Sequence, residues 1–348
     1  MTTQSQPTEA GKPPTGMLPK LGDEPGWRER LSFADLAERY ALLVAWGIVI
    51  AVFGVLEPDT FLSSANFTSI FGSQTALVIL TLALLIPLTA GDYDLSVAGV
   101  LGLSAMTIAV LNAQHGVPLG LSIAIAIGVG ALIGLINGIL IVGLKIESLI
   151  VTLGTGTILQ GVVLWLSDSE TVSGVSSKLV NAVIGVRFLG LPLEFYYGLA
   201  VALVVWYVFD HTPVGRRLLF TGRGKSVARL SGVAVGRVRI GAMVGSAVTA
   251  SIAGVIYVGT SGSADTSSWS ALLLPAFAAA FLGSTAIKPG RFNAWGSFIA
   301  VYFLVTGITG LQLLGVQAFV QQLFYGGALV AAVALRQILR RGEIEEEE

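Results

Sequence analysis

Ten apolar stretches make up most of this chain. The length of most of them is close to the roughly 20 residues that a helix needs to cross the hydrocarbon core of a bilayer. They are residues 40–56, 67–90, 96–112, 119–143, 149–167, 195–209, 240–260, 270–286, 295–312 and 317–335. Hydrophobic residues make up 54% of the chain and charged residues 12%, which excludes an ordinary soluble domain. Because a spanning segment must satisfy its own backbone hydrogen bonds, the sequence predicts an all-α, polytopic membrane protein with about ten transmembrane helices.

An alternative with eight spans stays open at three of these stretches. Residues 40–56 and 195–209 are short for a membrane-crossing helix. Residues 270–286 are also compatible with a re-entrant segment that does not cross the membrane.

The distribution of basic residues predicts the orientation of the chain. Seven of the twenty Lys and Arg residues fall in one interruption of the apolar pattern, residues 210–239. Short basic loops between membrane spans stay on the cytoplasmic side. If the ten spans alternate from a cytoplasmic start, only Lys178 and Arg187 face outwards and the other eighteen basic residues face the cytoplasm. We therefore predict that both termini are cytoplasmic.

The basic loop 210–239 contains a predicted helix of its own. Its segment 225–230 (KSVARL) is rich in good helix formers, and Gly232 follows as a helix stop. We expect a short helix that lies against the cytoplasmic face. A second short helix, at the membrane interface, is expected in the outer segment 168–194, where apolar residues alternate with Ser, Lys and Asn.

The two ends of the chain differ from the membrane domain in composition. Residues 1–31 combine five prolines with polar and charged residues, so we expect a disordered cytoplasmic tail. The transmembrane domain is predicted to cover residues 32–336. Residues 337–348 end in the charged run RRGEIEEEE and are predicted to form a solvated cytoplasmic tail.

The sequence contains no complete catalytic or metal-binding motif, so we expect a protein that is not an enzyme. Gly222, Gly224, Lys225 and Ser226 resemble the end of a phosphate-binding loop, but Leu219 stands where that motif requires its first glycine. The chain has no cysteine, and its two histidines fall in loops predicted on opposite faces of the membrane. A metal site is therefore not expected either.

Four sequence blocks resemble a known family of membrane proteins. Residues 91–97 (GDYDLSV) resemble the Gly-x-x-Asp-Leu-Ser-Val signature of the permeases of ATP-binding-cassette sugar importers, the ribose-type monosaccharide family. Residues 148–155 (SLIVTLGT), 228–232 (ARLSG), and finally 283–291 with 313–316 resemble further blocks of the same family, in the same order. The resemblance covers about residues 40–336, and four blocks in the right order are a specific signal.

The resemblance implies a permease of the bacterial inner membrane that works with several partners. It implies a second copy of the permease or a close relative, cytoplasmic ATPase subunits that use ATP, and an extracytoplasmic binding protein that delivers a monosaccharide or related polyol. No cofactor would be bound to this chain itself. The alternative is an ion-coupled secondary transporter or a channel for a small polar solute, but such proteins place ionisable residues within their spans, and here the spans hold almost none.

Particular residues are candidates for the roles that such a permease requires. For the substrate pathway they are Asp92, Tyr93, Asp94, Ser96, Thr152 and Thr155. For coupling to the ATPase they are Arg229, Leu230, Ser231 and Gly232. Lys178 and Arg187 are the candidates for docking of the binding protein, because they are the only basic residues predicted outside. Membrane lipid headgroups are the competing partner for the basic loop, and no nucleic-acid partner is expected.

Two carboxylates in residues 91–96 are candidates for helix capping and for sugar binding, and the two acids could also share these roles. Asp94 is expected to cap the helix of the third span, because a carboxylate accepts the unpaired amides of a helix start and is favoured by the helix dipole. Asp92 is expected to be exposed on a turn that Gly91 permits, where it would accept hydrogen bonds from sugar hydroxyls. Tyr93 would offer the sugar an apolar ring face and a hydroxyl.

Overall fold

This computed structural model describes residues 33–345, and they fold mainly into α-helices. The helices are α1 Phe33–Leu56, α2 Pro58–Phe61, α3 Ser64–Gly72, α4 Thr75–Thr89, α5 Val97–Ala109, α6 Leu119–Gly143, α7 Ser148–Leu166, α8 Ser177–Val180, α9 Leu193–His211, α10 Pro213–Arg223, α11 Lys225–Leu230, α12 Val235–Ser261, α13 Leu273–Gly283, α14 Ala294–Leu313 and α15 Ala318–Glu345. The predicted N-terminal tail, residues 1–31, lies outside the described residues. Helix α15 continues into the predicted C-terminal tail as far as Glu345.

Four strands of two residues each form two small antiparallel pairs. Strand β1 (Val172–Ser173) pairs with β4 (Ser263–Ala264), with Val172 opposite Ala264. Strand β2 (Arg187–Phe188) pairs with β3 (Leu191–Pro192) and forms a local hairpin. The first pair ties the loop after α7 to the end of α12, and the second leads directly into α9.

Eight segments of the described chain are long and apolar enough to cross a membrane. They are Arg39–Leu56, Ser64–Thr89, Val97–Gln114, Leu119–Gly143, Ser148–Leu166, Leu193–His211, Val235–Ser261 and Ala294–Leu313. Each overlaps one of the predicted stretches, so the all-α polytopic membrane fold is confirmed. The remaining two predicted stretches, 270–286 and 317–335, correspond to the shorter apolar helical segments Ser268–Gly283 and Phe319–Ala334.

The connecting segments gather at two opposite ends of the helix bundle. At one end, the Lys288 ammonium lies 2.6 Å from the Asp210 carboxylate, and the Ile287 amide donates to the Arg39 carbonyl oxygen. Helix α11 follows Asp210 closely in the chain and belongs to this end, which we call the α11 end. The other end, which we call the α8 end, carries α8 and the two strand pairs, about 28 Å away along the 19 residues of α9.

Helix α4 forms the centre of the bundle. All of its residues are buried except Ile86, which is half-buried. A helix that is apolar on every side is stable only when neighbours surround it, and α9, α12, α13 and α14 pack around α4. Helix α12 also packs along α5 and α6, so the segment that joins α4 to α5 lies between well-packed helices.

The two short helices that the sequence predicts are present. Helix α11 has the predicted bounds, and Gly232 ends it with φ of +82°. The amides of Gly232 and Val233 donate to the carbonyl oxygens of Arg229 and Ala228, which is the glycine-terminated helix end called a Schellman motif. In the outer segment, α8 continues into a π-helical turn at Asn181–Gly185.

Candidate functional site

The membrane helices α4 and α5 are separated by a break at residues 90–96. Helix α4 ends because Gly91 adopts φ of +78°, a conformation that favours glycine. The amides of Gly91 and Asp92 donate to the carbonyl oxygens of Leu88 and Pro87, which gives a second Schellman motif. The backbone becomes helical again only at Val97, so the seven residues 90–96 form non-helical backbone between α4 and α5.

Helix α7 supplies hydrogen-bond partners for this irregular backbone. The amide of Tyr93 donates to the Ser148 hydroxyl at 3.1 Å, and the amide of Leu95 donates to the Thr152 hydroxyl at 3.0 Å. Non-helical backbone is tolerated at membrane depth only where protein groups or an aqueous cavity satisfy it. The predicted pathway residue Thr152 therefore holds the break in place, and its side chain is fully buried.

Asp94 is the centre of a buried polar network that joins four helices. Its carboxylate accepts hydrogen bonds from the Ser96 amide (3.0 Å), the Ser96 hydroxyl (2.5 Å) and the Ser246 hydroxyl of α12 (2.9 Å). The Asn137 amide of α6 donates to the Ser96 hydroxyl at 3.0 Å, and the Thr155 hydroxyl of α7 donates to the Asn137 carbonyl oxygen at 2.7 Å. The network therefore runs from a carboxylate that is 1% exposed to a half-buried threonine.

The partners of Asp94 place this carboxylate well inside the bundle. Thr155 lies seven residues into α7 and Ser246 eleven residues into α12, which correspond to about 10 and 16 Å along the helix axes. No cation of the described residues forms an ion pair with Asp94. The capping prediction expected Asp94 to accept amides of the helix α5, but the amide that it accepts belongs to Ser96, directly before the helix, and no side chain caps α5 itself.

The expectation that Asp92 is exposed is wrong. Asp92 is 2% exposed, and the Arg239 guanidinium of α12 binds both of its carboxylate oxygens, at 2.6 and 2.7 Å. The Lys225 ammonium of α11 lies 3.1 Å from one of the same oxygens. Asp92 turns inwards because two cations that lie more than 130 residues later in the chain fold over the break.

The break also packs directly against the end of α10 and the start of α11. The Lys225 ammonium donates to the Gly91 carbonyl oxygen at 3.4 Å, in addition to its contact with Asp92. A Cβ atom added to Gly222 would lie 2.1 Å from the Thr89 carbonyl oxygen, so only glycine allows this approach. The α4–α5 break and α11 therefore form one contiguous structure.

Helix α11 presents an exposed apolar surface at the α11 end. Leu230 is 89% exposed and Val227 is 58% exposed, and their spacing of three residues places them on one side of the helix. Arg229, Ser231 and Gly232, the other members of the predicted coupling set, are also exposed. The opposite side of α11 holds Ala228, which is fully buried.

The predicted docking residues for a binding protein lie together at the α8 end. Lys178 in α8 and Arg187 in β2 are exposed, and neither forms an ion pair with another described residue. A carboxylate at the same end, Asp265, is partly buried. This burial raises the pKa of Asp265, but hydrogen bonds from the Tyr257 hydroxyl and the Ser267 amide outweigh it, so that the pKa lies below its usual value.

The structure brings the six predicted pathway residues into one region, in different environments. Asp94, Ser96 and Thr155 belong to the polar network, Thr152 supports the break, Asp92 is paired with cations, and the Tyr93 side chain is 42% exposed. Sequence reasoning missed Asn137, Ser246, Arg239 and Lys225 as members of the site. Asn137 offered a signal, because it is the only amide side chain in the apolar helix α6.

The part of the chain that the structure describes contains no group of three or more His, Asp or Glu residues that could hold a metal ion. The candidate site is made of hydroxyls, an amide, two carboxylates and the two cations that pair with Asp92. Such groups act by hydrogen bonding and charge pairing. They suit recognition or conformational coupling.

Comparisons with known proteins agree with the motif-based resemblance. A family model described as "Branched-chain amino acid transport system / permease component" matches residues 66–333. The D-allose transport system permease protein AlsC of Escherichia coli (strain K12) is 29% identical over 94% of this chain and 100% of its own length. The autoinducer 2 import system permease protein LsrC of Enterobacter sp. (strain 638) is 31% identical over 86% of this chain and 88% of its own length. The ribose import permease protein RbsC of Haemophilus influenzae is 28% identical over 84% and 90%, respectively.

No solved structure matches the chain. The family match covers most of the sequence, and the relatives named above are permeases of sugar and autoinducer import systems. The predicted resemblance to ribose-type permeases is therefore confirmed. This chain belongs to the family of the branched-chain amino acid transport system permease components.

Proposed function

We propose that this chain forms half of the membrane pathway of an ATP-driven importer in the bacterial inner membrane, with a monosaccharide or a related polyol as its substrate. The observation that carries the proposal is the polar network at the α4–α5 break, which runs from Asp94 to Thr155 through groups that both donate and accept hydrogen bonds. A polyhydroxylated solute exposes alternating donors and acceptors of the same kind. The relatives named for allose and ribose transport support the same substrate class.

The exposed surface of α7 supports a pathway formed with a second copy of the chain or a close relative. Thr157 and Gln160 are exposed on this span, and Gln160 lies about 18 Å from the helix start, which is deep in a hydrocarbon core of about 30 Å. Polar side chains at such depth face protein or water rather than lipid. The exposed ring of Tyr93, whose backbone is bonded to α7, would line the same path.

Energy would enter at α11. Leu230 and Val227 offer apolar anchors for a groove of a cytoplasmic ATPase, and Arg229 would pair with an acidic rim of that groove. ATP would be bound and hydrolysed on that partner subunit. Because Lys225 belongs to the same short helix and contacts Asp92, a displacement of α11 would be felt directly at the α4–α5 break.

The α8 end would receive the loaded binding protein. The exposed charges of Lys178 and Arg187 would steer an acidic surface of that protein by long-range attraction. This assignment requires the α11 end to face the cytoplasm, which agrees with the concentration of basic residues at that end.

An ion-coupled transporter is the second candidate, and Asp94 is the observation that favours it. A buried carboxyl with only hydroxyl and amide partners is the kind of group that takes up and releases a proton in secondary transporters. The two candidates differ in their energy source, so one transport assay separates them.

The assay uses proteoliposomes that contain the permease with its ATPase, loaded with ATP, and the binding protein outside. The sugar that the binding protein retains during purification is the substrate to follow. We expect accumulation to require ATP hydrolysis and to persist when a protonophore removes the proton gradient. Accumulation that needs the gradient and proceeds without the ATPase would instead establish ion coupling.

A pair of hydroxyl deletions tests the pathway itself. Thr155→Val removes the hydroxyl that ends the network, and we expect it to lower the uptake rate or change the preferred sugar while the ATPase still copurifies. Thr81→Val is the matched control, because the Thr81 hydroxyl bonds only to the Leu77 carbonyl oxygen of its own helix. If the two variants change uptake equally, the proposal that the polar network belongs to the substrate pathway is contradicted.

A further inference from the structure

A groove opens between α9, α10 and α12 next to the α11 end of the bundle. Its volume is about 890 Å³, within the range of about 300–1,000 Å³ that is usual for ligand-binding clefts. Val204, Val208 and Phe209 of α9 form one wall. Gly241 and Gly245 of α12 form the opposite wall. We call this cavity the α9–α12 groove.

Two arginines lie at the α11 end of this groove, whose other lining residues are mostly apolar but include Ser231 and Thr249. Arg217 of α10 and Arg237 near the start of α12 both line it, and both side chains are exposed. Neither forms an ion pair or a side-chain hydrogen bond with a residue that the structure describes. The first turn of α12 adds positive charge, because no side chain of the described residues caps this 27-residue helix.

The dimensions of the groove match one leaflet of a bilayer. Its lining on α12 extends from Arg237 to Thr249, which is 12 residues or about 18 Å. Half of a hydrocarbon core of about 30 Å is about 15 Å. A molecule that spans the groove would therefore place a charged group at the membrane surface and an apolar chain alongside α9 and α12.

The surroundings of the groove indicate where that molecule comes from. The neighbouring face of α9 exposes Leu203, Val204 and Tyr207, as expected for a helix in contact with lipid. A free anion such as phosphate would gain nothing from the valine and glycine walls, and a sugar would leave its hydroxyls unpaired there. Apolar walls that end in two unpaired cations complement a single-tailed or double-tailed molecule with a phosphate headgroup.

We propose that the α9–α12 groove binds an anionic phospholipid, whose phosphate lies between Arg217 and Arg237 and whose acyl chain lies along Gly241 and Gly245. This site does not depend on the transported solute. The groove is also lined by residues 231–234, which join α11 to α12. A bound lipid would therefore fill the space between α9 and α12 at the point where α11 joins the membrane domain.

Native mass spectrometry of the full-length permease tests the site. The protein is equilibrated in bilayers of equal parts phosphatidylglycerol and phosphatidylcholine, extracted in mild detergent, and analysed for retained lipid. We expect preferential retention of phosphatidylglycerol. Replacing Arg217 and Arg237 by glutamine should weaken this retention about tenfold for each arginine, because a hydrogen bond to a charged group contributes roughly that factor. Arg216→Gln is the matched control, since the neighbouring Arg216 is exposed but does not line the groove.

A second pair of variants tests the acyl chain rather than the headgroup. A Cβ atom at Gly241 meets no atom within 4 Å, so a side chain can start there, and Gly241→Leu should occupy part of the groove and reduce retention of both lipids. Gly128→Leu is the control, because Gly128 is equally open on α6 and lies outside the groove. Unchanged phosphatidylglycerol retention in the double arginine variant or in Gly241→Leu would overturn the proposal. Loss of ATPase copurification in the double arginine variant, with lipid retention unchanged, would assign the arginines to a protein partner and would overturn it as well.

Discussion

We predict that Asp92→Ala lowers the free energy of unfolding of the permease by about 3 kcal/mol. Asp92 is 2% exposed and binds both Nε and Nη2 of Arg239, whose side chain is only 17% exposed. Removing one partner of a buried ion pair leaves the other charge uncompensated, which costs about 3–5 kcal/mol. The partial exposure of Arg239 sets the expected value at the lower end. Lys225 adds little, because its side chain is 42% exposed and an exposed ion pair contributes less than about 1 kcal/mol.

A double-mutant cycle, measured by unfolding in mixed detergent micelles, isolates the interaction energy between Asp92 and Arg239 from their contacts with other residues. Arg239→Ala alone should also be strongly destabilising, because it leaves the buried Asp92 carboxylate with Lys225 as its only partner. The double variant Asp92→Ala/Arg239→Ala should lose less than the sum of the two single changes, with an interaction energy of about 2 kcal/mol.

Arg223→Ala is the control for this cycle. Arg223 is exposed at the end of α10 and forms no ion pair with a described residue, so its removal should change the free energy of unfolding by less than about 0.5 kcal/mol. The reasoning is refuted if Asp92→Ala is as mild as Arg223→Ala. It is also refuted if the two single changes are simply additive.

Three further predictions concern the network, the orientation and the outer face. Asp94→Asn should fold almost normally, because the amide oxygen still accepts hydrogen bonds. Asp94→Ala should lower the free energy of unfolding by about 2 kcal/mol, because it leaves buried hydroxyls unpaired. Equal stability of the two variants would contradict this prediction. A reporter fused after Arg229 should read cytoplasmic and one fused near Ser177 external, and the reverse pattern would invert the proposed orientation. Reversing the charges of Lys178 and Arg187 should slow transport most at low ionic strength, and transport that is unchanged at every salt concentration would place binding-protein docking elsewhere.

The helices and their ends were predictable because the sequence patterns that indicate them involve only neighbouring residues. Long apolar runs indicate spans whatever their neighbours, so all ten stretches correspond to helical segments. Helix α11 was predictable with its exact bounds from six residues and a following glycine, since a left-handed helix end is a property of Gly232 itself. The hydrogen bond from the Ser96 amide to Asp94 is equally local, between residues two apart, although it lies directly before α5 and does not cap the helix.

The partners of the site were not predictable because they come from distant parts of the chain. Arg239 is 147 residues from Asp92, and Ser246 is 152 residues from Asp94. Gly91 followed by Asp92 indicates an exposed turn when only neighbouring residues are considered. The sequence does not show that α12 packs along α4 and α5 and covers that turn. An exposed Asp92 would make Asp92→Ala nearly neutral for stability, whereas the buried ion pair with Arg239 predicts a loss of about 3 kcal/mol.

The central claim of this account is that a cytoplasmic ATPase docks on α11 and drives transport from there. Leu230→Asp tests it most directly, because Leu230 is 89% exposed, so the change removes an apolar anchor without disturbing the core. Leu314→Asp is the matched control. Leu314 is 41% exposed and directly follows α14 at the α8 end of the bundle, far from α11. ATPase copurification and ATP-driven uptake are measured for both variants, after membrane insertion has been verified.

We predict that Leu230→Asp inserts normally but loses both the ATPase and ATP-driven uptake, whereas Leu314→Asp retains both. Lipid headgroup binding by the same loop would instead respond to loss of its arginines and tolerate Leu230→Asp. Normal ATPase recovery and normal uptake with Leu230→Asp would contradict the account, because α11 would then not be the site at which the ATPase engages the permease.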